Sequence, residues 1–166
     1  VARQFASGKK AVVIRNGFFS FRWSQIFEQG NIASEHIVLK AEPVAGEGTK
    51  LQYAPHPIEK VVATIKAEKP AVVLAPHVET STGMILPPDY IKAVSAAVHA
   101  VGGLFVLDAI AAGTVWADIK ELGIDALITA PQKGWTGPAC AGLVMLSERG
   151  AEVTRTTESS SSESTE

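Results

Sequence analysis

Cysteine is nearly absent: Cys140 stands alone in 166 residues. No internal disulfide framework can form, and such sparing use fits a reducing compartment, here the cytoplasm. Clusters of Lys and Arg are missing as well. With a formal net charge of −2, neither nucleic acid nor an anionic membrane is an expected partner. The opening "VARQFASGKK" lacks the apolar stretch of a secretory signal. Nucleotide signatures are missing too: GxGxxG and GxxxxGK[ST] do not occur, and "GEGTK" (46–50) has the spacing of neither. The 4 histidines are scattered rather than gathered near Cys140, so no metal site is expected. A GxSxG nucleophile elbow is also lacking.

Charge is sparse, at 19% against 46% hydrophobic residues, as in a globular chain with a sizeable core. One run, Ala93–Trp116, is long and apolar enough to suggest a membrane span. It holds Asp108, however, and an aspartate near mid-bilayer costs about 2.5–3.5 kcal/mol. Gly102 and Gly103 also divide the run into a helix-like half and a strand-like half. The expectation is a buried helix–strand unit.

What is present is alternation. The apolar stretches 11–16, 35–40, 71–77, 103–109, 124–130 and 141–147 read as strands. Between them, 57–68 and 88–100 carry apolar residues at helical spacing behind prolines, and a short helix is expected over 116–122. The pattern predicts an α/β fold, a mainly parallel, mixed sheet with helices on both faces and right-handed crossovers. The turn 131–140 is too short for a helical crossover, so 141–147 is expected antiparallel to 124–130 or paired elsewhere. Residues 1–153 form one domain in this reading, and 154–166, "TRTTESSSSESTE", a polar low-complexity tail.

In open α/β sheets ligands lie beyond the carboxyl ends of the strands. Three such ends carry polar groups: "APHVETSTG" (75–83), Asp108, and "PQK" (131–133). Each has an ordinary structural explanation. Asp108 could cap a turn, His77 could pack, "ETSTG" could be a hydroxyl-rich turn before Pro87 and Pro88, and Lys133 could be a solvated cation. Asp118 reads as a first-turn residue of the short helix, Cys140 as a packing residue, and Phe18 and Phe19 as core. Taken together, a lysine and an aspartate at strand ends with hydroxyls nearby are what pyridoxal phosphate requires. The lysine supplies a primary amine for a Schiff base, and the aspartate pairs with the protonated ring nitrogen. An Asp–pyridinium contact at ~4 Å is worth about 4 kcal/mol at an effective dielectric of ~20.

The motifs "HVETSTG", "LFVLDAIAAG" and "APQKGW", in this order and spacing, resemble class V aminotransferases of the alanine/serine–glyoxylate type. The resemblance implies a pyridoxal-phosphate fold type I large domain, of which residues 1–153 are the central, cofactor-binding part. It also implies a homodimer, small amino-acid and oxo-acid substrates, and a ping-pong exchange. By the same resemblance Lys133 is the Schiff-base lysine and Asp108 the partner of the pyridine nitrogen. Ile110 packs on one ring face and Phe19, from "RNGFFSFRW" (15–23), on the other. Thr80 lies by the phenolic oxygen and Gln132 helps hold the phosphate. The family's small-residue phosphate loop and its substrate arginine are expected outside 1–166. Two other readings stay open: a non-catalytic fragment or interaction module that keeps the fold, and a lyase or desulfurase. The last needs a mobile cysteine, for which Cys140 in a Pro/Gly turn is badly placed.

Overall fold

A computed structural model describes residues 1–157. The first strand, β1 (Lys10–Arg15), is followed by β2 (Glu35–Lys40), the short β3 (Glu42–Ala45) and β4 (Gln52–Ala54), then β5 (Val72–Pro76), β6 (Leu104–Asp108), β7 (Ala126–Thr129) and β8 (Leu143–Leu146). Six of these make one sheet in the order β2-β1-β5-β6-β7-β8, while β3 and β4 pair separately. Every neighbour in the large sheet is parallel except β8, which runs antiparallel to β7. The α/β fold expected from the alternation is therefore found, and the antiparallel alternative for 141–147 is the one realised.

The interiors of β1, β5 and β6 are continuously apolar because both of their faces are covered. One face packs Val12, Ile14, Val73, Phe105 and Leu107 against α3 (Ile58–Glu68) and α4 (Pro88–Ala100). The other packs Val13, Leu74 and Val106 against α1 (Ala2–Ala6) and α2 (Phe18–Gly30). Side-chain alternation along each strand thus decides which helical layer a residue meets. Proline opens α4 at its first helical position, where a missing N–H costs nothing. The remaining short helix is α5 (Ile119–Leu122). Asp118 is its N-cap rather than a first-turn residue, accepting from the N–H groups of Lys120 at 2.8 Å and Glu121 at 2.9 Å.

Three features are not signalled by the hydrophobic pattern. Helix α2 fills 18–30, where the buried stripe is Ser20, Trp23, Ser24 and Phe27 while Phe18, Phe19 and Ile26 are exposed. Half the buried stripe is hydroxyl, and the exposed side is aromatic, so the helical period is masked. Helix α1 is a single short turn and a half. Helix α6 (Glu148–Thr156) starts at an N-capping Ser147 and continues past residue 153. The opening of the expected polar tail is accordingly helical through Thr156, and the rest of that tail, 158–166, lies outside the described residues. Among the described residues no helix is long and apolar enough to cross a membrane.

Candidate active site

The strand order places β1 between β2 and β5, so the chain leaves β1 in one direction and later returns on its other side. Such a reversal opens a crevice at the carboxyl ends of the two strands. At this edge Asn16 and Gly17 follow β1, His77 to Thr82 follow β5, Asp108 ends β6, and Pro131 to Lys133 follow β7. Asp108 pairs in register with Pro76 on one side and Ile128 on the other. All three chemical segments expected from the sequence therefore come to one sheet edge, on three adjacent parallel strands.

Asp108 is half-buried, with its side chain on the α2 face. Its Oδ2 accepts from the Trp23 indole N–H at 2.9 Å, and its Oδ1 from the Ile110 N–H at 3.3 Å. Burial pushes its pKa up, and the negative charge of Glu79 adds to the rise, against these two donors. The backbone beside it is fixed too: its carbonyl accepts from the His77 N–H at 2.7 Å, and Ala109 donates to Ile128 at 2.8 Å. His77 itself is buried, and burial holds its pKa below the ordinary value, so its ring is neutral.

Thr80 and Phe19 are joined through a residue that the sequence reading passed over. Glu79 is fully buried, and its carboxylate accepts from the N–H groups of Phe19 at 3.1 Å and Ser20 at 2.9 Å. The hydroxyls of Ser20 and Ser81 donate to it at 2.7 and 2.6 Å. Glu79 is thus a cap supplied to α2 from another element, where a carboxylate meets the helix N-terminal donors and the positive end of the macrodipole. Burial raises its pKa, but the Ser81, Ser20 and Phe19 donors outweigh that and hold the carboxyl below the ordinary range. Ser81 also accepts from the Phe18 N–H at 2.8 Å, and Thr82 donates to the Asn16 carbonyl at 3.0 Å. Thr80 sits exposed on this loop. Phe19, expected as core if not functional, is 45% exposed at the start of α2.

Lys133 and Gln132 are exposed on the loop after β7, and the Lys133 ammonium has no ion-pair or hydrogen-bond partner among the described residues. The loop is placed by glycine. Gly134 and Gly113 lie backbone against backbone, with no room for a Cβ on either. The segment after Asp108 and the segment holding Lys133 therefore touch, which a side chain at either position would prevent. Ile110, half-buried, lies between Asp108 and this contact. A cleft of about 470 Å³ opens on the other face of the sheet, lined by Trp116, Trp135, Leu127 and Met145 among others. It does not include Asp108 or Lys133, so this hollow is not where the reactive groups gather. Cys140 is exposed rather than packed. Among the described residues no three metal-ligating side chains gather.

These groups suit pyridoxal phosphate. The carboxylate is met only by neutral N–H donors, leaving room for a cationic partner, and among the described residues the lysine amine is not committed to another group. Trp23 and Glu79 were the residues missed. The signal for Trp23 was its place four residues after Phe19, one helical turn on, which needed α2 to be recognised. The signal for Glu79 was an acid inside a hydroxyl motif.

Residues 3–165 match the Aminotransferase class-V family. Among curated proteins the chain is 29% identical over 157 residues to an L-aspartate–glyoxylate aminotransferase of Paracoccus denitrificans, covering 94% of this chain and 37% of that protein. It is 33% identical over 148 residues to a 2-aminoethylphosphonate–pyruvate transaminase of Vibrio vulnificus, covering 87% and 36%. Among solved structures it superposes on a ureidoglycine–glyoxylate aminotransferase from Bacillus subtilis with a TM-score of 0.75 at 27% identity, over 93% of this chain and 36% of that one. The chain thus spans little more than a third of the length of these relatives. With the expected motifs at one sheet edge and the family match over nearly all its length, this chain belongs to the class V aminotransferases.

Proposed function

We propose that the protein carrying this chain is a pyridoxal-phosphate-dependent aminotransferase. It takes the amino group from a small amino acid, such as alanine or serine, and passes it to an oxo-acid such as glyoxylate or pyruvate in two half-reactions. The cofactor follows from the family. When bound it supplies a reactive aldehyde and an electron sink for the carbanion at the substrate Cα. The observation that carries the proposal is the pair Asp108 and Lys133 at the ends of neighbouring parallel strands, on segments held together at Gly113 and Gly134.

In this reading the Asp108 carboxylate holds the proton of the ring nitrogen. Lys133 Nζ is the amine that would anchor the cofactor and, once released, would serve as the base for the substrate Cα proton. Phe19 and Ile110 confine the ring between two faces, the Thr80 hydroxyl meets the phenolic oxygen, and Gln132 contributes to the phosphate site. The acceptors named for the relatives above, glyoxylate and pyruvate, support a small oxo-acid, while their donors differ from one another. The reading includes a homodimer working in the cytoplasm.

The test is chemical. Borohydride reduction of the full-length protein with pyridoxal phosphate, followed by peptide mass analysis, is expected to find the pyridoxyl-phosphate mass on Lys133. An unmodified Lys133 overturns the proposal.

A further inference from the structure

We infer that Trp23 is a positioning residue for the cofactor site, holding the Asp108 carboxylate in orientation and charge through its indole N–H. The inference rests on the aminotransferase reading above and adds to it a residue outside the sequence motifs that carry the resemblance.

Each Asp108 oxygen accepts one N–H, from Trp23 on α2 at 2.9 Å and from Ile110 in the turn after β6 at 3.3 Å. The shorter of these comes from the side chain. Two donors on two oxygens fix the plane of the carboxylate and leave further lone pairs on both. Both donors are neutral. An arginine or lysine in the place of Trp23 would hold the carboxylate equally well but would cancel the charge that a protonated ring nitrogen needs. An indole stabilises the anion and leaves it available. Burial acts the other way, raising the Asp108 pKa, as does the nearby Glu79 carboxylate, so the indole N–H opposes a real tendency toward the neutral acid.

The indole is itself held. Trp23 is buried, at 8% exposure, on the helix whose first N–H groups are gripped by Glu79. Phe19 lies one turn earlier on the same helix. One helix, clamped at its start, therefore carries both the exposed Phe19 and the donor to the carboxylate. A buried indole needs an acceptor for its own sake, and that simpler role would make Asp108 indifferent to Trp23. The experiment separates the two.

In the full-length protein, pyridoxal phosphate affinity is measured by equilibrium dialysis for wild type, Trp23→Phe, Asp108→Asn and the double variant. Trp23→Phe keeps the ring and removes the N–H, and is expected to weaken binding roughly 10- to 100-fold, the range for a hydrogen bond to a charged group. In the Asp108→Asn background the same change is expected to cost less than about threefold, because its target charge is already gone. Should Trp23→Phe not fold, the indole ¹⁵N–¹H spectrum of the wild type, with its 3 tryptophans, serves instead. One indole resonance is expected to move on adding pyridoxal phosphate and to be displaced in Asp108→Asn. Unchanged affinity in Trp23→Phe, equal losses in both backgrounds, or three indole signals indifferent to both cofactor and Asp108→Asn overturn the inference. Loss of binding by the wild type itself overturns the aminotransferase reading along with it, whereas a wild type that binds beside an indifferent Trp23→Phe sinks only the role of Trp23.

Discussion

Asp108 lives with a conflict that a surface aspartate does not have. Its folded pKa is raised above the ordinary value, chiefly by burial. For an acid, a raised folded pKa means that ionisation disfavours the folded state. The penalty is absent at pH below the ordinary value of 3.8, grows as pH rises through the folded pKa, and is complete above it. Asp108→Asn carries no such penalty. The stability of this variant relative to wild type, measured on the cofactor-free protein by urea unfolding, is therefore expected to improve from pH 3 to pH 7. A relative stability that is flat with pH, or falls, contradicts the assignment. In the proposed reading the same substitution is expected to weaken the cofactor site, so the group that costs stability is the one that binds.

Between elements, Glu79 carries the most. It ties the loop after β5 to the start of α2 and so sets Thr80 and Phe19 side by side. Its folded pKa is lowered, so its contribution is present above the ordinary carboxylate pKa and is lost as pH falls through the folded one. Glu79→Gln replaces an acceptor for four donors by a group that accepts on one side only. It is expected to lose about 2 kcal/mol at pH 7 in chemical unfolding, and the gap to wild type should close in acid. A gap that persists at pH 3 assigns the loss to packing instead. At the facing loops, Gly134→Ala would drive a methyl into the Gly113 backbone. The expected result is a cofactor affinity at least about tenfold weaker, with a melting temperature within roughly 2 °C of wild type because the contact lies at the rim. A melting temperature that drops with unchanged affinity would place the contact in the core rather than in the site.

Across the whole molecule, the sheet is closed at its other edge by a buried acid far from the chemistry. Asp125, at 1% exposure, accepts from the Phe105 N–H at 2.8 Å and the Ser147 hydroxyl at 3.1 Å, and lies 2.8 Å from His99 Nε2. These contacts bind α4, β6 and the start of α6 to the entry of β7. Asp125→Ala leaves a buried N–H unpaired and is expected to cost about 3 kcal/mol in denaturant unfolding. Pyridoxal phosphate should bind the folded fraction as before. Weakened binding in fully folded protein would mean that this end of the sheet communicates with the other.

The sequence by itself determined the central strands, because a strand covered on both faces buries successive side chains, and the apolar runs within "AVVIRN", "AVVLAPH" and "GLFVLDA" record that burial. It also put Asp108 at the end of one such strand and Lys133 a few residues beyond another, at the carboxyl edge where parallel sheets present their groups. Helix α2 was not legible, because the stripe it buries is half serine and its opening aromatics are exposed. For the same reason Trp23 and Glu79 went unread: their roles are contacts of 85 and 59–60 residues' separation, and no local period records which partner a side chain meets. Only the tertiary structure decided that one helix, clamped by an acid from the loop after β5, would reach the carboxylate. Hydrogen bonds are settled by direction and by ångströms, and these exist only once the chain has folded.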